Sequence, residues 1–553
     1  MKKGFTLIEL LAVILILGII ALIAIPTVNK IISEARYGAF KSGNENIMKS
    51  IEQECQTSLL KGEIPILSYI FKNNKSSNEI NIKGVLPNEG YIFLDNQCSI
   101  TNYYLTEGKM IYTNGEDIRQ DYMLKKPSTN DSIFKTLYGE NFSKIISIKF
   151  IDNLNIHNNA IEVKDPSVSE NGKIKSWLVP NGEYYDLYIG SEGTIYGNYN
   201  SSYLFYNFDL VETMNLNNLN TSFVEQMRFT ISSNSLLKQL DISSWDTSNV
   251  VDMTSMFDTS LNLEYLDLTN FKTHNVKKMI NMFSTSTSNE TMKLKKIQGI
   301  EKFVTKKTES IDCMFMNCKL LETLDVSKWD TSNLKDISSA FYNCEKLKVL
   351  DVSNWDTSNV EEMVYTFYGC RQVKKLDVKN WNTSKVTSMY ALFSSCWSLN
   401  ELDVSKWDIG NCKNIGDFVK DCNLLMTLDI NDWDTSNVET MGYMFYGCMQ
   451  LRSLDLSKWE LPKLRDMGYT FYNCCNLQEL YFNKLDFQNV NIESAFLATY
   501  MLNKITVKNS SSANIVINQL LDRTSKEQGS IIVIGDRNNI DNDLIASKNW
   551  NVA

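Results

Sequence analysis

The chain has 553 residues, a formal net charge of −10 at pH 7 and a sequence pI of about 5.1. This acidic balance disfavours nucleic-acid binding by bulk electrostatics, because phosphate backbones attract basic surfaces. The two histidines, His157 and His274, do not occupy a metal-ligand spacing, and the sequence contains no Gly-rich phosphate loop and no Gly-x-Ser-x-Gly turn. We therefore expect a protein without a cofactor, a metal site or an enzymatic activity.

The amino terminus combines a basic leader with a long apolar segment. Two lysines precede Gly4, a lone carboxylate lies at Glu9, and residues 10–25 carry no charge before Pro26 interrupts them. The 21 residues from 5 to 25 would form a helix about 31 Å long, which matches the thickness of a bilayer core. An ionisable group inside such a segment is energetically expensive and usually has a function.

This arrangement resembles the class III leader of type IV pilins and pseudopilins. The resemblance implies that a prepilin peptidase cleaves after Gly4 and methylates the new amino group of Phe5, so that the apolar helix stays on the mature protein. Glu9 would pair with the terminal amine of a neighbouring pilin subunit during assembly, and Pro26 would kink the helix. We expect the precursor to be held in the bacterial membrane by this helix and the mature protein to reach a pilus at the cell surface.

Beyond the leader, residues 1–4, the apolar positions continue at three- and four-residue steps and predict one helix over residues 5–60. Residues 61–140 are expected to form a small pilin-like head of strands and turns. Cys55 and Cys98 lie in this part of the chain. Outside the cell they can form a disulfide, but their separation in sequence leaves the pairing open.

A 26-residue repeat dominates the second half of the chain. In the unit that begins at Cys344, residues 350–352 alternate inward and outward and predict a short strand. Ser358 and Glu361 follow at the spacing of a capping box, which predicts a short helix or 3₁₀ turn. The apolar face of that turn comprises Val360, Met363 and Phe367. The repeat frame carries a column of tryptophans: Trp245, Trp329, Trp355, Trp381, Trp407, Trp433 and Trp459.

The signature Leu-Asp-Val-Ser-x-Trp-Asp-Thr-Ser-Asn-Val resembles the BspA-like branch of leucine-rich-repeat surface proteins. One unit is too small to bury its apolar face alone, so stacked units would form a solenoid with a parallel sheet along one face. The expected fold class is α+β, with a long amino-terminal helix and small head followed by this solenoid. We predict an amino-terminal cap at residues 141–210, the repeats at 211–504 and a closing cap at 505–553.

Two further columns recur with the repeat. Stacked cysteines in adjacent coils point the same way and cannot converge on one ion, so core packing is favoured over metal or redox chemistry. A column of aspartates lies on the exposed side of the predicted strands. Capping of the next turn is favoured over calcium binding, because the Asp-x-Asp-x-Asp spacing of a calcium loop is absent. The cysteine column comprises Cys318, Cys344, Cys370, Cys396, Cys422, Cys448 and Cys474.

Together these patterns predict a minor type IV pilin-like surface protein whose solenoid binds ligands, as an adhesin does. The family resemblance suggests a protein or glycan ligand on host or other cells, although a fold alone does not determine a function. The bulky repeat domain favours low abundance or a tip position over the main filament subunit. Two alternatives stay open: a pseudopilin of a secretion or competence apparatus, and a surface hydrolase that uses paired carboxylates.

Overall fold

The computed structural model describes residue 39 and residues 42–61, 65, 68–72, 75–76, 86–87, 89–95, 97–107, 110–113, 122–127, 130–285, 290–523 and 525–553. Gly4, Phe5, Glu9 and Pro26, and with them the expected membrane helix, lie outside these residues. Among the helices in the described ranges, none is long and apolar enough to cross a membrane. Contacts divide the chain into two compact units after Ile118, and each unit has its own buried core.

The first unit packs a helix against a five-stranded antiparallel sheet. Helix α1 covers residues 42–60 and buries Ile47 and Ile51, which lie four residues apart on one face, against Ile92 and Leu105 of the sheet. The sheet order is β2-β1-β3-β4-β5. Its strands are β1 (Ser68–Lys72), β2 (Lys75–Ser76), β3 (Glu89–Leu94), β4 (Ile100–Glu107) and β5 (Met110–Thr113).

The second unit opens with a mixed sheet that covers the first coils. Helix α2 (Ile133–Tyr138) is capped by Ser132, and its Phe134 lies in the same core as Leu124. This unit begins at Arg119, earlier than the predicted cap boundary at residue 141. The sheet order is β13-β11-β6-β9-β8-β7, parallel from β13 to β9 and antiparallel beyond. Its elements are the 3₁₀ helix Gly139–Lys144, β6 (Ile145–Ile151), β7 (Ile161–Lys164), β8 (Ile174–Asn181), β9 (Tyr184–Ser191), β11 (Thr213–Asn215) and β13 (Gln239–Asp241).

The remaining elements follow the coils, and every pairing among these strands is parallel. Along this side of the solenoid, pairs of short strands alternate with coils that contain no strand, such as the coil with residues 350–352. A five-stranded sheet closes the repeat array. The elements are β10 (Ile195–Tyr196), β12 (Leu219–Asn220), β14 (Tyr265–Asp267), β15 (Lys296–Gln298), the 3₁₀ helix Ile300–Lys302, β16 (Lys375–Leu376), β17 (Glu401–Leu402), β18 (Ser453–Asp455), β19 (Glu479–Tyr481), β20 (Lys504–Val507), α3 (Ser510–Gln519), β21 (Gly529–Val533), α4 (Asn542–Ser547) and β22 (Trp550–Val552).

A second parallel ladder connects the coils on another side. Single β-bridges link equivalent positions from Asn200 through Glu362 to Asn491. Beyond each bridge, alternate backbone N–H groups donate to the next coil: Tyr365 to the carbonyl of Tyr390 at 3.0 Å, and Phe367 to that of Leu392 at 3.0 Å. These bonds hold the coils in register over their whole length.

This ladder corrects the predicted helix. Val360, Met363 and Phe367 are buried as expected, but the segment consists of turns. Alternate N–H groups bond to a neighbouring coil and others reach only three residues back, as Tyr368 does to Tyr365 at 3.0 Å, so no continuous helical ladder forms. The predicted capping box is also wrong. The N–H of Glu361 donates to the carbonyl of Lys335, and the N–H of Ser358 donates to the carboxylate of Asp356 at 2.9 Å.

Candidate functional site

Each repeat passes through two residues with left-handed backbone. One precedes the repeat cysteine and, in all of these coils but that of Ser395, is a Gly, Asn or Asp, the types that tolerate positive φ best. The other lies four residues earlier, and in three of the seven coils with a repeat cysteine it is a tyrosine, with φ of +59° at Tyr365, +57° at Tyr443 and +56° at Tyr469. A bulky residue there costs of order 1–3 kcal/mol, and such strain concentrates at functional sites. The residues before the cysteines are Asn317, Asn343, Gly369, Ser395, Asp421, Gly447 and Asn473.

These turns present a row of half-buried tyrosines. Ring centroids of Tyr342 and Tyr368, one coil apart, lie 4.6 Å from each other and are stacked. The equivalent distance between Tyr446 and Tyr472 is 4.8 Å. Both values are close to the spacing of neighbouring β-strands. We call the whole row the tyrosine face: Tyr342, Tyr365, Tyr368, Tyr390, Tyr443, Tyr446, Tyr469 and Tyr472.

An ion pair separates the two halves of the tyrosine face. Asp417 is 7% exposed, accepts a hydrogen bond from the hydroxyl of Tyr390, and lies 3.4 Å from Nζ of Lys420. The same Nζ lies 4.9 Å from the ring centroid of Tyr443 and 5.4 Å from that of Tyr446. Burial, with the hydrogen bond to Asp417, raises the pKa of Tyr390, so this hydroxyl stays protonated. Asp421, next to Lys420 in the chain, adds a second carboxylate here, and burial raises its pKa. The centre of the face is therefore polar, with two carboxylates beside one ammonium group.

An exposed apolar corner follows the tyrosine face along the chain in the later coils. Its equivalent in earlier coils is charged and includes Glu345 and Arg371. Arg371 lies between the charged and the apolar parts of this surface. Its guanidinium is 4.2 Å from the ring centroid of Trp397, and its Nη1 donates to the carboxylate of Glu345 at 2.9 Å. Exposed apolar surface of this kind marks interaction sites, and Tyr, Trp, Met and Arg dominate protein interfaces. The apolar corner comprises Trp397, Leu424, Met426, Met449, Tyr500 and Met501.

The tryptophan column lies in the core. Trp245, Trp329, Trp355, Trp381, Trp407, Trp433 and Trp459 are at most 4% exposed. Each indole N–H donates to a backbone carbonyl 29 residues earlier, as Trp381 does to Val352 at 3.2 Å. The rings of Trp355 and Trp381 stack with centroids 6.1 Å apart. These residues join the coils and are not available to a ligand.

The cysteine column is also buried. Each thiol donates to a backbone carbonyl of the preceding coil, as Cys396 does to Phe367 at 3.1 Å. Burial raises the pKa of Cys396 to about 12, so its reactive thiolate is suppressed. The members, all 0% exposed, are Cys318, Cys344, Cys370, Cys396, Cys422, Cys448 and Cys474.

In the first unit, Cys55 and Cys98 form a disulfide with their Cα atoms 5.6 Å apart. Both residues are 1% exposed and belong to the core between α1 and the sheet. The bond therefore ties the helix to the turn that leads into β4.

The aspartates of the column bond to the turns that follow them. The carboxylate of Asp351 accepts from the N–H of Ser353 at 3.1 Å and from its hydroxyl at 2.7 Å. Asp403 repeats the pattern with Ser405, and these bonds together with Lys379 lower the pKa of Asp403 to about 2. Within the described ranges, no group of three or more His, Cys, Asp or Glu residues could hold a metal ion.

The tyrosine face was not identified from the sequence, although a signal for it exists. Phe-Tyr pairs recur in the repeat frame at residues 341–342, 367–368, 445–446 and 471–472. The phenylalanines lie in the core, with centroids 5.7 Å apart for Phe341 and Phe367. A tyrosine that always follows a core residue must lie at the surface, because side chains of adjacent residues point in different directions.

Comparison with known families identifies both parts of the chain. Residues 1–25 match the prokaryotic N-terminal methylation motif, which implies processing by a prepilin peptidase, a membrane-anchored precursor and export to the surface. Residues 199–293, 285–400, 362–485 and 387–513 match the family described as "Mycoplasma protein of unknown function, DUF285". No curated protein matches the chain. Because these overlapping matches span more than half of the sequence, the chain belongs to the DUF285 family.

Proposed function

We propose that this member of the DUF285 family is a minor type IV pilin-like protein whose repeat domain binds a protein partner at the cell surface, as an adhesin does. The leader would place it in the pilus, and the tyrosine face with the apolar corner would contact the partner. The observation that carries the binding role is the strained, half-exposed tyrosine row. Its rings lie outside the core that holds the coils together.

The composition of this surface supports a protein partner. Tyrosine and tryptophan supply large contact areas at a low cost in conformational entropy, which is why they dominate binding surfaces. Tyr443 is 37% exposed and Trp397 is 43% exposed, so both can contact a partner without unfolding any coil. The paired charges of Asp417 and Lys420 avoid the cost of burying an unpaired ion beneath that partner.

The assembly half of the proposal is tested in cells with Glu9→Leu. We expect the protein to enter the membrane but to be lost from the sheared filament fraction, because the carboxylate can no longer pair with a neighbouring terminal amine. Glu34→Leu, a carboxylate replacement beyond the apolar segment, is the matched control and should leave filament incorporation unchanged. Normal incorporation of the Glu9→Leu protein would contradict the assembly role.

The binding half is tested with Tyr446→Ala combined with Tyr472→Ala in the full-length protein. These cells should keep the protein in their filaments but lose adherence to a protein-coated surface, while Tyr265→Ala, on the strand side, should not change adherence. Unchanged adherence of the double variant at equal filament content would show that the tyrosine face is not the binding surface. Loss of secretion or DNA uptake with adherence intact would favour a pseudopilin instead.

A further inference from the structure

We propose that the tyrosine face binds an extended proline-rich segment of the partner in the polyproline II conformation. This inference rests on the proposed function and specifies its ligand class. A polyproline II segment has three residues per turn, makes no internal hydrogen bonds and leaves every carbonyl free to accept one. The tyrosine face offers hydrogen-bond donors, aromatic surface and a spacing between coils that matches the length of a polyproline II turn.

The donors are phenol hydroxyls. Within the described part of the chain, five of the eight have no hydrogen-bond partner in the protein. The hydroxyl of Tyr390 is bonded to Asp417 and to the hydroxyl of Tyr365, and that of Tyr469 is bonded to Glu493. Burial raises the pKa of Tyr342 and of Tyr443, so that both hydroxyls remain protonated donors at neutral pH. The five free hydroxyls belong to Tyr342, Tyr368, Tyr443, Tyr446 and Tyr472.

The period of the face matches this conformation. Tyrosines one coil apart are 4.6 Å apart for Tyr342–Tyr368 and 4.9 Å apart for Tyr443–Tyr469. Two coil steps at the strand spacing cover about 9.6 Å, while one polyproline II turn covers about 9.3 Å. Residues on one face of a β-strand are about 6.6 Å apart and an α-helical turn covers about 5.4 Å, so neither distance equals one coil step of about 4.8 Å or two steps of about 9.6 Å.

The charge on the face disfavours an acidic ligand. Lys420 is already paired with Asp417 and lies against two tyrosine rings, and Asp421 beside it adds a further carboxylate. Acidic peptides would therefore gain little here, whereas prolines can pack their rings against aromatic surfaces. A segment that is already extended also loses little conformational entropy on binding.

The backbone strain indicates that the rings serve a contact outside the core. The left-handed position of Tyr365, Tyr443 and Tyr469 is occupied by Ser339 and Ala391 in other coils, where the same backbone forms without a ring. A tyrosine at this position therefore adds strain that the fold does not require. A ligand that contacts the rings gives a physical reason for their presence.

The test is calorimetric titration of residues 119–553, which contain a core of their own, with decaproline as the probe. A ten-residue Gly-Ser peptide is the control for nonspecific peptide binding, and cellohexaose is the control for a glycan surface. We expect decaproline to bind and the two controls not to bind. No decaproline binding, equal affinity for the Gly-Ser peptide, or binding of cellohexaose alone would overturn the inference.

Two double variants distinguish the contribution of the tyrosine rings to binding from that of their hydroxyls. Tyr446→Ala with Tyr472→Ala should weaken decaproline binding at least tenfold, because tyrosine is enriched among the few interface residues that contribute most of the binding energy. Tyr446→Phe with Tyr472→Phe keeps the stack, removes two donors and should weaken binding severalfold. Tyr265→Ala, 49% exposed on the strand side, should change affinity by less than twofold. Circular dichroism and the urea midpoint confirm that each variant is folded.

The outcomes distinguish this inference from the proposed function. If the alanine variants lose adherence in cells but decaproline does not bind, the face binds another kind of ligand and only the polyproline inference fails. If the folded alanine variants keep both adherence and decaproline binding, both proposals fail.

Discussion

Replacement of Trp381 by alanine is expected to destabilise the middle coils severely. Its ring is 3% exposed and stacks between Trp355 at 6.1 Å and Trp407 at 6.2 Å. Truncating a buried tryptophan costs about 3–5 kcal/mol, and the lost hydrogen bond to Val352 adds about 0.5–1.5 kcal/mol. The expected total is about 4–6 kcal/mol.

Trp381→Phe is the matched control, because Phe271 and Phe303 occupy the same frame in this chain and are 5% and 4% exposed. It keeps an aromatic ring in the column and loses the indole N–H, so we expect a cost of about 1–2 kcal/mol.

Hydrogen exchange measured by mass spectrometry on residues 119–553 is the appropriate assay, since repeat arrays can open locally and a single unfolding free energy is then poorly defined. Exchange in the coils on either side of residue 381 should accelerate by roughly a thousandfold to ten-thousandfold in Trp381→Ala, at 1.4 kcal/mol per factor of ten. The reasoning is refuted if Trp381→Ala changes exchange less than tenfold, or if Trp381→Phe changes it as much as Trp381→Ala.

Three other predictions concern the remaining columns and the disulfide. The pKa of Cys396 rises from 9.0 to about 12 on folding, so the unfolded chain loses this proton first and stability should fall as the pH rises above 9, as urea unfolding under reducing conditions will show. The pKa of Asp403 falls from 3.8 to about 2 on folding, so its contribution to the free energy of unfolding should disappear as the pH falls from 4 to 2. Asp403→Asn should cost at most about 1 kcal/mol in unfolding experiments, because solvent screens the carboxylate. Removing the disulfide with Cys55→Ser and Cys98→Ser should destabilise the first unit by about 2–4 kcal/mol and leave hydrogen exchange in residues 119–553 unchanged, because the two units have separate cores.

Much of the repeat domain could be predicted from the sequence, because burial depends on a period. A tryptophan or cysteine that recurs every 26 residues must occupy the same position in every coil. The interior position of Trp381 and Cys396 follows from that period and from their apolar character. The turns between the columns could not be predicted in the same way. The segment around Met363 has helical spacing, yet the N–H of Tyr365 bonds to Tyr390 in another coil.

The tyrosine face was likewise only partly predictable from the sequence. Sequence places Tyr342 and Tyr368 26 residues apart, but it does not reveal that their rings stack at 4.6 Å or that Asp417 and Lys420 neutralise each other between the two groups. Those facts depend on how neighbouring coils align.

The sequence by itself determined the leader, the repeat length and the identity of the core columns, since each depends on residue type and spacing along one chain. Only the tertiary structure decided the backbone of the turns and the surface they expose. In a solenoid, the hydrogen-bond partner of a residue lies one coil away, and local sequence carries little information about a bond formed with a segment 25 residues further along.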